Sequence, residues 1–241
     1  MIKYNTPQEL FTAICDKIRD KTNSNKLINH QDIPDKIDNL VDTDIINEYN
    51  ELLSMIINQN TIIELNNKEI ENINICFMNC TNLTTVNLPE CTSIGTSTFY
   101  GCTNLTTVNL PECTSIGDTA FMDCTNLTTV NLPECTSIGI STFNSCTNLT
   151  TVNLPKCATI GIFAFVKCTN LTTIILNNRK IVTLEDGAFN SSAITRTGYI
   201  YVPDNLVDSY KIATNWSTYA NQIKPLSELP SELKEEYNYK L

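Results

Sequence analysis

A hexapeptide recurs through the middle of the chain at a constant interval. Cys-Thr-Asn-Leu-Thr-Thr begins at five positions that lie 22 residues apart: Cys80, Cys102, Cys124, Cys146 and Cys168. Four further cysteines fall midway between them: Cys91, Cys113, Cys135 and Cys157. A fixed interval of this length is typical of a solenoid, in which each repeat forms one structural unit that stacks on the next. This periodicity constrains the fold more than any other feature of the sequence.

Apolar and polar residues alternate at the centre of each repeat. In the first copy, Val86 and Leu88 alternate with Thr85 and Asn87. This pattern predicts a short β-strand whose apolar side chains face inward and whose polar side chains face outward. Pro89 lacks an N–H group and is expected to end the strand.

The second half of each repeat is expected to return the chain to the core. Gly95 is expected to permit a turn, and Phe99 is expected to point inward. Because they recur at fixed positions of the repeat, the cysteines are predicted to be buried, reduced thiols that act as small apolar core residues.

A single repeat is not expected to fold alone. Each coil would bury about five large apolar side chains, worth roughly 8–15 kcal/mol at ~1.5–3 kcal/mol each. Ordering the backbone costs ~1–2 kcal/mol for every residue of the unit. Because this cost exceeds the gain, neighbouring coils must stack, and their strands are predicted to form a parallel sheet.

The ends of the array are less regular than its centre. The stretches Ile63–Ile73 and Ile174–Leu184 resemble each other, and both lack the midway cysteine. We interpret them as the first and last full coils, with one more strand at Tyr199–Val202. The prediction is therefore about six coils and a terminal strand between residues 61 and 202.

The arrangement Ile-Gly-x-x-x-Phe-x-x-Cys-x-Asn-Leu-Thr-x-Val resembles the BspA-type subclass of leucine-rich repeats. The resemblance covers residues 61–202 and implies an α/β solenoid: a leucine-rich-repeat array with a parallel sheet and about six coils of roughly 22–24 residues. The midway cysteine at Cys91 stands where an aliphatic residue is more usual in the subclass. Members are mostly surface adhesins and binding proteins of bacteria and some protists, so the resemblance implies a binding role.

A C-terminal helical cap and tail are expected over residues 203–241. The stretch 201–216 is similar to the helical segment that closes many such arrays. Leu206, Tyr210 and Ala213 would share one face of that helix. Another residue of this stretch, Trp216, is expected to cover the last coil.

Residues 1–60 are expected to form an N-terminal helical module for attachment or oligomerisation. Thr6–Glu9 reads as a capping box at a helix start. The stretch 14–37 is similar to a segment of phage and prophage structural proteins, including tail and fibre components. Four apolar residues of a later helix step by three, four and three positions: Ile46, Tyr49, Leu53 and Ile56. This seam predicts either a short oligomerising stalk, trimeric in a fibre, or a helix that caps the first coil.

Composition and motifs exclude several classes of function. A net charge of −10 argues against nucleic acid as a partner, because binding to phosphates requires basic surface. The sequence contains no run of about 20 apolar residues, so membrane insertion is not predicted. The first residues have no apolar stretch typical of a signal peptide, so the chain is expected to be made in a bacterial cytoplasm. The sequence has a single histidine, His30, and no nucleophile or phosphate-loop motif. We therefore expect no catalytic residue, no metal site, no cofactor and no enzyme activity.

The outward side of the predicted sheet is the candidate binding face. It should present uncharged donors and acceptors at regular spacing. We define this Thr-Asn face by nine residues: Thr85, Asn87, Thr107, Asn109, Thr129, Asn131, Thr151, Asn153 and Thr173. The alternatives are a merely solvated surface, or binding by the variable side of the repeats after each Ile-Gly pair.

The sequence predicts a non-enzymatic binding or structural protein. The first hypothesis is a phage or prophage virion protein. Such a protein would contact other virion proteins through residues 1–60 and bind a host-surface glycan or protein through the repeats. The alternative is a bacterial surface adhesin of the BspA type. A purely structural decoration protein without a ligand is a third reading.

Overall fold

The computed structural model describes residues 62–64, 72–73 and 77–239, with side chains from residue 77 onward. The predicted N-terminal helical module and its seam at Ile46, Tyr49, Leu53 and Ile56 lie outside the described residues. His30 lies outside them as well.

The strand expected at the centre of each repeat is present along the array. Its first members are β1 (Ile62–Glu64), β3 (Thr85–Asn87), β5 (Thr107–Asn109), β7 (Thr129–Asn131), β9 (Thr151–Asn153) and β11 (Thr173–Ile175). The strands are parallel and pair in register, so equivalent residues of neighbouring coils lie side by side. The predicted parallel leucine-rich-repeat array is therefore confirmed.

The chain adds two more parallel strands at the C-terminal end of this series. β13 (Tyr199–Val202) pairs with β11, which confirms the terminal strand expected there. β14 (Ile223–Pro225) then pairs with β13 and was not predicted. The array therefore ends one strand later than the repeat pattern indicates.

A second series of two-residue strands lies on another side of each coil. Its members are β2 (Asn72–Ile73), β4 (Ser93–Ile94), β6 (Ser115–Ile116), β8 (Ser137–Ile138), β10 (Thr159–Ile160) and β12 (Thr183–Leu184). They form one continuous six-stranded parallel sheet. In β4, β6, β8, β10 and β12 the second residue points into the core and is buried.

One phenylalanine of each coil stacks on the next inside the solenoid. Neighbouring ring centroids are 5.2–5.6 Å apart along the column: Phe77, Phe99, Phe121, Phe143, Phe165 and Phe189. The nine described cysteines are all buried in the same core. Both findings confirm the inward placement expected from the repeat.

The first strand series has one break. β1, β3 and β5 form one sheet, and β7 onward form another, with no ladder of hydrogen bonds between β5 and β7. At the break, Val108 is half-buried, whereas Val86, Val130 and Val152 are buried. The core continues across it, because Phe99 and Phe121 stack at 5.2 Å. The break is therefore local to the outward sheet.

The repeat glycine serves the stacking of coils and not the turn that we expected from it. The first left-handed residue of each coil falls two positions after this glycine, at Ser97, Thr119, Ser141 and Phe163, with φ between 52° and 57°. A Cβ on Gly139 would lie 2.7 Å from the backbone nitrogen of Asp118 in the preceding coil. Glycine is needed there because neighbouring backbones approach too closely for a side chain.

The C-terminal residues close the solenoid as predicted, although with less helix than the sequence indicates. Helix α1 (Val207–Ile212) has six residues, and Tyr210 is its buried member. The Trp216 indole is 1% exposed and donates a 2.7 Å hydrogen bond to the Val182 carbonyl of the last coil. Tyr210 and Trp216 meet edge to face with centroids 5.1 Å apart. Trp216 therefore caps the phenylalanine column.

The remaining C-terminal elements are short. Helix α2 (Ser231–Glu236) follows β14. Single 3-10 turns cover Ala193–Thr195, Asp204–Leu206, Ser217–Tyr219 and Leu226–Glu228. Among the described residues, no helix has the length and apolar character needed to cross a membrane.

Candidate functional site

The structure places the nine residues of the Thr-Asn face on the outward side of β3, β5, β7, β9 and β11. Thr107, Asn109 and Asn131 are exposed. Five others are half-buried between neighbouring coils: Thr85, Asn87, Thr129, Thr151 and Thr173. The predicted column of uncharged side chains therefore exists, and its most accessible part is centred on β5 and β7.

Some asparagines of this face are hydrogen-bonded to the equivalent asparagine of a neighbouring coil. The Nδ2 of Asn109 donates to the Oδ1 of Asn87 over 2.7 Å. The Nδ2 of Asn153 donates in the same direction to the Oδ1 of Asn131 over 2.8 Å. No such bond joins Asn131 to Asn109, because β5 and β7 are not paired. The Nδ2 of Asn131 consequently makes no hydrogen bond with any described residue.

The threonine hydroxyls of this face remain largely available. Thr129, Thr151 and Thr173 form no side-chain hydrogen bond with the described residues. The preceding threonines are used differently, since the Oγ1 of Thr150 donates to the Thr128 carbonyl of the preceding coil over 3.0 Å. The hydroxyls of Thr106 and Thr150 therefore support stacking, and the threonines that follow them face outward with donor and acceptor capacity.

Asn153 is buried, and its expected exposure is wrong. Its side chain is 4% exposed because the C-terminal segment, defined as residues 226–239, crosses the end of the sheet. The Tyr239 hydroxyl donates a 2.8 Å hydrogen bond to the Asn153 Oδ1. The sequence predicts a helical cap and tail for this stretch, whereas in the structure its last residues fold back over the strands.

An apolar patch on the outward side of the sheet explains why the C-terminal segment lies there. Ile175 follows Asn131 and Asn153 in register, and the next outward residue is Tyr201. Both are buried in a small cluster with Leu226 and Leu229. The signal was present in the sequence, because isoleucine and tyrosine replace asparagine at outward positions of the last strands. Such a patch requires a cover.

The buried cysteines are poorly suited to act as nucleophiles or metal ligands. Burial raises the pKa of Cys113, Cys135 and Cys157 from 9.0 to about 12. Their Sγ atoms are hydrogen-bonded to nearby carbonyls, as Cys113 is to Ser115 at 3.2 Å. A nucleophilic or metal-binding cysteine needs an accessible thiolate, which these sites disfavour. Among the described residues, no group of three His, Cys, Asp or Glu side chains is arranged to hold a metal ion.

The variable side of the repeats carries two exposed apolar residues beside a shorter polar column at Ser97, Thr119 and Ser141, where the Ser97 and Thr119 hydroxyls are 2.7 Å apart. Ile140 is 45% exposed and Phe163 is 42% exposed. At the strand exits, the row of glutamates ends in a surface ion pair, with the Lys156 Nζ 2.5 Å from the Glu134 Oε2. We expect that pair to add little to stability, since both groups are well exposed.

Several solved structures are similar to parts of this chain. The leucine-rich repeat protein of T. pallidum is 27% identical, with 57% of this chain and 73% of that chain covered and a TM-score of 0.41. A leucine-rich cell surface protein of Faecalibacterium prausnitzii A2-165 is 29% identical, with 61% and 40% covered and a TM-score of 0.44. The pneumococcal vaccine antigen PcpA is 16% identical, with 66% and 38% covered and a TM-score of 0.47.

The chain therefore spans less than half the length of the second and third of these structures. The comparison with curated proteins gives no match. The profile of the BspA type leucine rich repeat region matches residues 68–196 in six copies, which is more than half of the 241-residue chain. The repeat, the stacked parallel strands and this match together show that the chain belongs to the BspA-type leucine-rich-repeat family.

Proposed function

We propose that this chain is a non-enzymatic binding protein of the bacterial cell surface, an adhesin that recognises a host protein or glycan. Family membership supports the proposal, since proteins built from these repeats typically bind and do not catalyse. The single observation that carries it is the exposed part of the Thr-Asn face at Thr107, Asn109 and Asn131. An uncharged polar surface with regular spacing suits a partner that offers many hydroxyl and amide groups.

The binding experiment compares two faces of the same solenoid. The labelled full chain is incubated with host cells and with isolated cell-wall material, and the bound fraction is measured. The double variant Thr107→Glu/Asn109→Glu adds charge to the Thr-Asn face, and Ile140→Glu adds it to the variable side as a matched control. We expect the double variant to reduce binding at least about tenfold and Ile140→Glu to leave it unchanged.

The opposite result would overturn this assignment of the face. Loss of binding in Ile140→Glu alone would move the site to the variable side. Absence of binding by the unmodified chain to every cell and wall fraction would favour a structural role without a ligand. Circular dichroism of each variant shows that its fold is retained.

A second candidate function is a phage or prophage virion protein, present as a tail, fibre or decoration component. The observation that favours it is the resemblance of residues 14–37 to phage structural proteins. That stretch lies outside the described residues, and the family match begins only at residue 68. In this reading, residues 1–60 form a separate module that contacts other virion proteins, and residues 61–202 and 203–241 form the array and its cap.

Two measurements test the virion reading. Mass spectrometry of purified phage particles and of the cell envelope shows which fraction contains the chain. Light scattering after gel filtration gives the absolute mass of the full chain and of a chain lacking residues 1–60. A trimer that becomes a monomer on truncation would support a stalk built on Ile46, Tyr49, Leu53 and Ile56. Recovery from the envelope alone, with a monomer in both cases, would leave the adhesin reading.

A further inference from the structure

A cavity lies where the C-terminal segment crosses the strand exits. Its volume is about 490 Å³, and three successive coils form its floor. Its lining includes Asn131, Asn177, Glu236, Tyr237, Asn238 and Tyr239. Small-molecule sites in proteins have volumes of roughly 300–1,000 Å³, so this one can hold a ligand of one or two sugar rings.

The cavity offers unused hydrogen-bonding groups at fixed positions. A relay runs from the Tyr239 hydroxyl to Asn153 and from there to the Oδ1 of Asn131, with distances of 2.8 Å in both steps. The relay orients the Asn131 amide and leaves its Nδ2 without a partner among the described residues. Asn177 and Asn238 add two further amides to the lining. Amides both donate and accept, which matches the hydroxyl groups of a saccharide.

The cavity also has the aromatic side chains that the Thr-Asn face lacks elsewhere. Tyr237 and Tyr239 pack against the buried cluster around Ile175 and Tyr201, so their rings are held in place. A fixed tyrosine offers apolar contact area at low entropic cost. The C–H face of a sugar ring packs on such a surface while its hydroxyls reach the amides.

The negative charge of the lining favours neutral ligands over anionic ones. Among the described residues that line the cavity, Glu236 is the one carboxylate, and none is a lysine or arginine. A carboxylate accepts hydrogen bonds from hydroxyls but repels anions. Phosphate groups and acidic sugars are therefore disfavoured.

We propose that this cavity is a binding site for the end of an uncharged saccharide chain. Asn131, Asn177 and Asn238 would bind its hydroxyl or acetamido groups, and Tyr239 would contact the face of a sugar ring. The inference rests on the proposed binding function and deepens it, because it gives that function a ligand class and a defined place at the end of the Thr-Asn face.

The test is a titration of the full chain with four probes: cellobiose, lactose, N,N′-diacetylchitobiose and the acidic sialyllactose. Saturation-transfer NMR detects contact, and chemical shifts of the asparagine side-chain amides report the site. We expect at least one neutral disaccharide to bind with a Kd below about 10 mM. Sialyllactose should bind more weakly than lactose.

Matched variants connect binding to the cavity. Asn131→Ala and Tyr239→Ala should each weaken the binding of the neutral disaccharide at least about tenfold. Tyr239→Phe keeps the ring and loses only the bond to Asn153, so it should weaken binding less than Tyr239→Ala. Asn148→Ala removes an exposed asparagine at another position of the repeat, outside the cavity lining and the Thr-Asn face, and should bind normally.

Several outcomes would overturn the inference. They are no contact with any neutral probe, stronger binding of sialyllactose than of lactose, and equal binding by Asn131→Ala and the unmodified chain. Cell binding measured on the same samples separates this inference from the proposed function. A chain that binds cells but no neutral saccharide would refute the cavity assignment and leave the adhesin proposal intact.

Discussion

The Tyr239 hydroxyl donates a 2.8 Å hydrogen bond to the Asn153 side-chain oxygen and so joins two residues that are 86 positions apart. Asn153 in turn donates a hydrogen bond from its Nδ2 to the Oδ1 of Asn131 over 2.8 Å. The end of the chain is thereby attached to the face that the repeats build. The C-terminal segment therefore covers the Thr-Asn face at Asn153 and marks the end of its exposed part.

Loss of the Asn153 side chain should cost more stability than loss of its counterpart two coils away. Asn153→Ala leaves the Tyr239 hydroxyl and the Asn131 oxygen without partners, and we expect the free energy of unfolding to fall by about 1–3 kcal/mol. Asn109 is exposed and makes one side-chain hydrogen bond, so Asn109→Ala should stay within about 0.5 kcal/mol. Urea unfolding followed by circular dichroism measures both. Equal losses would contradict the role assigned to the C-terminal segment.

Adding one methyl group at Gly139 should destabilise the stack. The new Cβ would lie 2.7 Å from backbone atoms of the preceding coil, and a backbone cannot move aside as a side chain can. We expect Gly139→Ala to lower the free energy of unfolding by about 1–3 kcal/mol. Ser141→Gly is the matched control, because Ser141 has φ of 52°, where glycine is favoured. That control should be neutral or stabilising. A harmless Gly139→Ala would show that the coils are not closely apposed.

Removing the Trp216 side chain should open the end of the solenoid. Trp216 is 1% exposed and packs against Phe189, the last ring of the column. We expect Trp216→Ala to reduce the free energy of unfolding by about 3–5 kcal/mol. Ile212 lies four residues earlier and is 83% exposed, so Ile212→Ala should have little effect. Differential scanning calorimetry should show a lower Tm for the first variant only.

Alkaline pH should destabilise the fold through its buried thiols. The pKa of Cys113 and Cys135 is raised from 9.0 to about 12, so the folded state holds protons that the unfolded state releases. This contribution to stability is fully present below pH 9 and is lost as the pH rises toward 12. Each such thiol contributes a slope of up to about 1.4 kcal/mol per pH unit in that window.

Urea unfolding at several pH values between 9 and 12 checks this prediction. A Cys113→Ala/Cys135→Ala variant should show a shallower decrease of the unfolding free energy with pH, because two of the titrating groups are gone. An identical slope in both proteins would assign the alkaline transition to other groups.

Thiol reagents should not reach the core cysteines of the folded chain. The nine described cysteines are buried, and the pKa of Cys124 and Cys168 is raised by burial to about 12. In a variant in which Cys15 and Cys76 are replaced by serine, we expect no rapid reaction with a disulfide reagent at pH 8 and complete reaction after unfolding. Rapid labelling of one or more thiols in the native state would contradict the buried ladder.

The repeated part of the fold can be predicted from the amino-acid sequence. The 22-residue interval and the alternation around Val86 and Leu88 predicted the parallel strands, and the recurring Phe and Cys positions predicted the core. These predictions succeeded because each coil meets the same neighbours, so one local pattern applies along the whole array. The closing Trp216 was also readable, since a solenoid end requires an apolar cover.

The positions of the non-repeating residues depend on contacts between segments that are distant in the sequence. The sequence indicated a glycine turn, but the close approach of neighbouring backbones at Gly139 is a property of two coils together. It indicated an exposed Asn153, yet the burial of that residue depends on Tyr239, which lies far along the chain. Contacts of this kind leave no periodic signal, because they form once and between distant segments. The candidate saccharide cavity arises from such a contact, so it became visible only when the C-terminal segment was placed on the sheet.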